Sequence, residues 1–235
     1  MSVPLDSREK ILASVRAATK SVAASPGELK GAYAALQRGY VRAGKLSSDE
    51  RLELMITRLR EYDAEVVECA PDEVPAAIAA QLAASGKHKF VAPAGLPAAW
   101  LAEGFDWKLD EGLTSAEIEV AEGVVTGSFC GIADSGTIVL HHSATEGRRV
   151  LTLLPDWHLC VLRASQVVET LPEYFGRCQL VPGLHPSDED LSPGAPKLAT
   201  YISGPSATAD IEMTRIKGVH GPRFLHVVLV WDSAQ

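Results

Sequence analysis

Apolar residues at Ile11, Leu12, Val15, Ala18 and Val22 recur at the three- and four-residue spacing of one helical face. Asp6 and Glu9 precede them as a capping-box pair. Ala24-Ser25-Pro26-Gly27 is expected to end that helix. From Gly31 to Gly44 the periodicity weakens, and Tyr33, Leu36, Tyr40 and Val41 fit either a short helix or an ordered extended arm. Residues 1–45 therefore form an N-terminal helical arm, followed by one α/β domain over 46–235. A second capping box, Ser47 with Glu50, opens a strongly amphipathic helix that carries Leu52, Met55, Ile56, Leu59 and Tyr62 on one face.

Beyond this helix the period shortens. Val66-Val67 predicts a strand, about Glu73 to Ala84 an Ala-rich helix, and Lys89 to Ala92 a strand stopped by Pro93-Ala94-Gly95. A short helix over Pro97–Glu103 and a strand over Phe105–Leu109 follow. Ile118 to Thr126 is strand-like, and Val167 to Phe175 predicts a short helix. Thr137–Leu140, Leu159–Leu162 and Phe224–Val230 are nearly continuous apolar runs, the pattern of strands covered on both faces. Strands alternating with helices at short intervals predict βαβ units and a mostly parallel sheet. Pro182 to Pro196, with the acids Asp188-Glu189-Asp190, is a long loop, either a lid or a merely mobile segment.

Hydrophobic residues make up 46% of the 235 positions and charged ones 22%, which excludes a disordered chain. The net charge of −8 and the absence of any basic run longer than Arg148-Arg149 argue against nucleic acid as a partner. No apolar run approaches the ~18–20 residues of a membrane span. The acidic, polar start of the chain is not that of a secretory leader, so a cytoplasmic protein is expected. Cys69, Cys130, Cys160 and Cys178 are too far apart for zinc or iron–sulfur spacing and are expected to be buried thiols. No metal site is expected.

Two polar turns remain to be explained. Leu198 to Ile202 predicts a strand feeding Ser203-Gly204-Pro205-Ser206-Ala207-Thr208-Ala209-Asp210-Ile211-Glu212. Gly204 opens unusual backbone geometry, and Ser206 suits the N-cap of a following helix. A helix start behind a glycine turn binds anions, and the carboxyl ends of parallel strands are the usual ligand crevice. Alternatively Thr208 and Asp210 merely cap an ordinary helix. Thr208 stands where a nucleophile elbow requires its last glycine, so that motif is rejected. The other turn, Ala133-Asp134-Ser135-Gly136-Thr137, enters a buried strand. Asp134 is there either a general base or nucleophile, or the head of an Asx turn.

Of the seven histidines, His220, between Gly218 and Gly221-Pro222, is the best candidate for chemistry, with a structural hydrogen bond as the alternative. His141 and His142 are adjacent on a strand-like run and point to opposite faces, which disfavours their sharing a metal. His226 is expected to be a hydrogen-bonded core residue.

Ala133-Asp134-Ser135-Gly136-Thr137, Leu154-Pro155 with His158, Ser203 to Glu212, and Gly218-Val219-His220-Gly221-Pro222 together resemble the LUD-domain proteins, and among them the lactate utilization protein C (LutC) branch. The resemblance runs from about residue 45 to the C-terminus. It implies a three-layer α/β/α fold of the NagB/RpiA/CoA-transferase type with a mostly parallel sheet. It also implies a subunit of a system that oxidises L-lactate to pyruvate, alongside a LutA-like cysteine-rich protein and a LutB-like iron–sulfur protein. Iron–sulfur clusters are then expected in those partners and no cofactor in this chain. The family's first turn commonly has Glu-Thr where Asp134-Ser135 stands, which shortens the acid's reach. Position 207 is often a larger polar residue and is Ala207 here.

The expected site joins Asp134, Asp210 and His220 as acid–base groups to Ser135, Gly136, Thr137, Ser203, Gly204, Ser206, Thr208 and Gly221 as binders of a small anionic or phosphate-bearing ligand. Two rivals stay open. One is a stand-alone enzyme resembling CoA transferases, sugar-phosphate isomerases or folate ligases. The other is a non-catalytic assembly or regulatory module in which the arm docks a partner or a second copy, so that a homo-oligomer is among the expected states.

Overall fold

The computed structural model describes residues 7–19, 25–37, 39, 41, 43–179, 198–208, 216–218 and 220–232. Residues 1–40 and 41–235 form separate compact units. The first holds α1 (Ser7–Thr19) and α2 (Pro26–Ala34). Within the segment that was expected to end a helix, Ser25-Pro26-Gly27 instead starts one. The Ser25 Oγ accepts the Glu28 N–H at 3.3 Å, and Glu28 accepts the Ser25 N–H at 2.6 Å. Pro26 then sits in the first turn, where a missing N–H has no consequence. Asp6 and Val22 lie outside the described residues.

The second unit begins with α3 (Ser48–Glu61), β1 (Glu65–Cys69), α4 (Val74–Ser85), β2 (Lys89–Pro93), β3 (Asp106–Asp110), α5 (Ser115–Glu119) and β4 (Gly123–Thr126). It continues with β5 (Cys130–Ile132), β6 (Thr137–Leu140), β7 (Trp157–Arg163), β8 (Val167–Val168), α6 (Leu171–Gln179), β9 (Thr200–Ile202), β10 (Ala207–Thr208), β11 (Ile216–Lys217) and β12 (Phe224–Val230). The Ser47–Glu50 capping box forms as expected, with N–H···O distances of 2.8 and 3.3 Å.

Six strands pair in parallel in the order β1-β12-β7-β4-β2-β3. Two of the long apolar runs, β7 and β12, are interior strands of this sheet and are largely buried on both faces. On one face α4 sets Val74, Ile78 and Leu82 against Phe90, Leu159, Val161 and Val228. On the other, α3 sets Leu52, Met55, Ile56 and Leu59 against Cys160, Leu162, Leu225 and Val227. This is the α/β fold with a parallel sheet flanked by helices that the pattern predicts.

A four-stranded sheet, β8-β5-β6-β9, covers the same face as α3. Ile138 and Leu140 of β6 turn toward the large sheet, while Val139 turns outward to Cys130, Ile132 and the α6 residues Tyr174 and Cys178. Three expectations change here. The run Thr137–Leu140 belongs to this smaller sheet, antiparallel to β5 and β9. Ile118 to Thr126 splits, because Thr114 caps α5 through a box with Glu117 and only Gly123–Thr126 is extended. Val167-Val168 pairs with β5 before α6 begins. The expected lid over 182–196 lies outside the described residues.

Candidate functional site

A cleft of about 240 Å³ opens beside the amino ends of β7 and β12, where His158 and Leu225 are the second residues of their strands. Its other walls are a 3-10 turn, Arg149–Thr152, the strand β9, and the loops around Ser203–Ala207 and His220–Pro222. The expected crevice at the carboxyl ends of the strands is thus displaced. The cause is the second sheet, whose last strand delivers Ser203 to the opposite end.

Ser206 does not cap a helix. The Ser206 N–H donates to Pro222 O at 2.8 Å, and the Gly218 N–H donates to Ser206 O at 2.9 Å. The Ser206 Oγ accepts the His220 N–H at 3.1 Å. β10 then pairs antiparallel with β11, so the segment is a ribbon that returns to the cleft with His220-Gly221-Pro222. The Ser206 N–H, carbonyl and hydroxyl are thus all bonded to residues 218–222. The structure therefore brings Ser203, Gly204, Ser206, His220 and Gly221 to one cleft, with the His220 residue exposed. Thr208 lies on β10, and Asp210 falls outside the described residues.

Gly204 lies at φ 81°, and a Cβ there would sit 2.6 Å from Tyr62 Cβ and 2.8 Å from Tyr62 O. Its bare face is turned to the end of α3. Gly136, at φ 60°, is similar: its Cβ would meet Arg58 Cβ at 2.6 Å. At both positions the missing side chain gives room to α3 and its C-terminal end.

Asp134, Ser135, Gly136 and Thr137 do not line the cleft. Asp134 is exposed, and its N–H donates to Glu169 O at 3.0 Å. What joins the two turns is a chain of hydroxyls: Ser135 Oγ to Thr137 Oγ1 at 2.7 Å, and Thr137 Oγ1 to Ser203 Oγ at 2.7 Å.

Three cleft residues were missed as a group. Arg149, half-buried, donates from Nη1 to Thr152 O and Thr152 Oγ1, each at 3.0 Å. Burial lowers its pKa, and among the described residues no carboxylate pairs with it. Beside it His158 is buried, with Nε2 2.8 Å from Thr126 Oγ1. Burial, and then the charge of Arg149, push His158 down to about 3, so its ring is neutral. The sequence shows only a basic pair, Arg148-Arg149, and nothing in it separates the exposed Arg148 from the half-buried Arg149. Arg148 forks onto Asp110 at 2.6 and 2.7 Å. Below the cleft Arg223 forks onto Asp156 at 2.7 Å on both arms, tying the starts of β7 and β12.

All four cysteines are buried free thiols, and burial pushes Cys130 up to about 11 and Cys160 up to about 12. Among the described residues no three His, Cys, Asp or Glu side chains gather to hold a metal ion. Nor is any described helix long and apolar enough to cross a membrane. His226 is hydrogen-bonded to Gln81 at 2.8 Å, as expected of a core histidine.

Comparison with known proteins gives concordant matches. The family model described as LUD domain matches residues 52–230. A Deinococcus radiodurans protein named lactate utilization protein C is 40% identical over 186 residues, 79% of this chain and 82% of that protein. A Bacillus subtilis protein of the same name is 32% identical over 139 residues, covering 57% of this chain and 54% of the relative. The crystal structure of a DUF162 family protein from Deinococcus radiodurans superposes with a TM-score of 0.63 at 36% identity, covering 79% of this chain and 99% of that one.

Proposed function

Because the chain belongs to the LUD-domain family, we propose that it serves lactate utilization by holding a small anion, a carboxylate or a phosphate-bearing ligand, in the cleft around Arg149. The observation that carries this is the half-buried guanidinium with no carboxylate partner among the described residues. A charge withdrawn from water is ordinarily paired, and a ligand anion completes the pair.

The surroundings suit that role. Ser203 and Ser206 add hydroxyls to the cleft wall, and the neutral His158 adds no competing charge. His220, exposed at the rim, is placed as a proton carrier or oxyanion partner. Thr137 and Ser135 act through Ser203, whose hydroxyl they orient. Asp210, the other acid expected at the site, is outside the described residues, and the Asp134 N–H ties its turn to Glu169 O. Electron transfer is assigned to partners, a LutB-like iron–sulfur protein and a LutA-like cysteine-rich protein, with this chain supplying the ligand site.

The test is calorimetric titration of the purified chain with L-lactate and with inorganic phosphate, repeated on Arg149→Met. The expected result is at least a tenfold loss of affinity for the anion that binds, the scale of one charge-assisted hydrogen-bonded contact of about 1.5–3 kcal/mol. Undiminished binding by the variant would remove the site. Reconstitution with both partners and an artificial acceptor tests the assembly, and an equal rate of lactate oxidation without this chain would refute its participation.

A further inference from the structure

The cleft has a second polar device, on the small-sheet strand β9, that the anion site does not use. Thr200 is paired with Leu140 in the small sheet and so shares the face that Leu140 turns toward the large sheet. It lines the cleft and is buried. Its Oγ1 lies 2.9 Å from His142 Nε2, and His142 Nδ1 lies 2.8 Å from Gly147 O.

For an uncharged His142 ring these contacts fix the protons. A carbonyl oxygen only accepts, so Nδ1 carries the hydrogen that goes to Gly147 O. In the neutral ring Nε2 is then an acceptor, and the Thr200 hydroxyl must donate to it. The threonine hydrogen is committed, and only lone pairs are left for a ligand. His142 is also one of two non-glycine residues described at positive φ, 57°. Such a backbone persists where the surroundings over-determine it and is concentrated at functional sites. Here two hydrogen bonds to its ring do so.

We propose that Thr200 is a ligand-binding residue that accepts a hydrogen bond from the hydroxyl of a small 2-hydroxycarboxylate, with His142 as its positioning residue. The proposal rests on the anion site around Arg149, which takes the carboxylate. A hydroxyl donor satisfies the lone pairs of Thr200. The corresponding keto acid offers only acceptors there, and the unsubstituted acid offers nothing. Discrimination between hydroxy and keto forms follows from one committed proton, with no clash required.

Titration of the intact chain with L-lactate, pyruvate and propionate tests this. L-Lactate is expected to bind roughly tenfold more tightly than either analogue, the value of about one net hydrogen bond. Thr200→Val keeps the β-branched shape and is expected to bring lactate down to the affinity of propionate, while Thr200→Ser keeps the preference. Equal affinities in the parent chain, or an undiminished preference in Thr200→Val, would overturn the inference and leave the anion site standing. Binding of all three acids unaffected by Arg149→Met would overturn the anion site itself. Should Thr200→Val not fold, nitrogen-15 resonances of the His142 ring in the parent chain decide. The Nδ1-protonated tautomer is expected, and the Nε2-protonated form refutes the committed proton.

Discussion

Gly204 and Gly86 make a matched pair for separating backbone conformation from packing. Gly204 lies at φ 81° and Gly86 at φ 67°, both in the left-handed region. Alanine at either position bears the left-handed cost of about 1–2 kcal/mol. At Gly86, just past the end of α4, a new Cβ meets nothing within 4 Å. At Gly204 it would lie 2.6 Å from Tyr62 Cβ and 2.8 Å from Tyr62 O, and neither atom belongs to a flexible side-chain end that can swing away. Overpacking against such rigid neighbours adds about 1–3 kcal/mol. Gly204→Ala is therefore expected to destabilise the chain by about 1–3 kcal/mol more than Gly86→Ala. In a domain of this size that difference is roughly 2–12 °C of melting temperature. Urea unfolding followed by circular dichroism measures both variants, with the denaturant slope unchanged if only the native state is affected. Equal losses, within about 0.5 kcal/mol, would show that the α3 end does not press on the turn. Gly204 would then be free to serve a ligand.

Two further expectations concern ionisation. The Asp110 carboxyl is held below its usual range, first by hydrogen bonds from Arg148 and then by the Gly112 and Leu113 N–H groups, against the opposing effect of burial. A depressed carboxyl stabilises the fold above its unfolded pKa of about 3.9 and stops doing so as pH falls through the lower folded value. With Arg148 half-exposed and screened, Asp110→Asn is expected to cost roughly 1 kcal/mol near neutral pH. The two proteins should converge in acid, as melting curves across pH would record. His158 acts in the same direction, over a window that begins at higher pH. It stays neutral down to about 3, while the unfolded ring binds a proton near ~6.5. Stability therefore falls as pH drops through that window, by at most about 1.4 kcal/mol per pH unit from this group. His158→Gln should flatten that slope. A ring resonance of His158 that titrates near neutrality would refute the assignment.

The parts of the fold legible in the sequence were those whose cause is local. The Ser47–Glu50 box, the amphipathic face of α3 and the apolar runs of β7 and β12 are settled within about a dozen residues, and they form as expected. Where partners are distant the pattern is mute. Thr137–Leu140 has the same buried composition as Leu159–Leu162, yet one is antiparallel in the small sheet and the other parallel in the large one. Continuous burial specifies two covered faces and nothing about which strand lies alongside. Ser206 fails for a different reason. A serine after Gly-Pro is as good a helix cap as a ribbon residue, and the choice is made by Pro222 and Gly218, more than ten residues away, which complete its hydrogen bonds.

The same distinction divides the candidate site. Its loops were visible because glycine, proline and hydroxyl residues cluster in them, and Ser203, Gly204, Ser206, His220 and Gly221 do meet at one cleft. Its charge and its Thr200–His142 pair were not, because each is defined by a relation between elements. Arg149 differs from Arg148 only in what covers it, and Thr200 differs from any strand threonine only because His142 stands 2.9 Å from its hydroxyl. Both features lie where the small sheet leans on the amino ends of β7 and β12. On the proposed reading, an anion held by Arg149 there lies between Thr200, whose hydroxyl oxygen accepts a hydrogen bond, and a rim that carries an exposed imidazole, His220. On that reading a hydroxy acid bound across those two walls engages Arg149, Thr200 and His220 together, and because Thr200 comes from the second sheet, that sheet, rather than the glycine turn, is the element that creates the site.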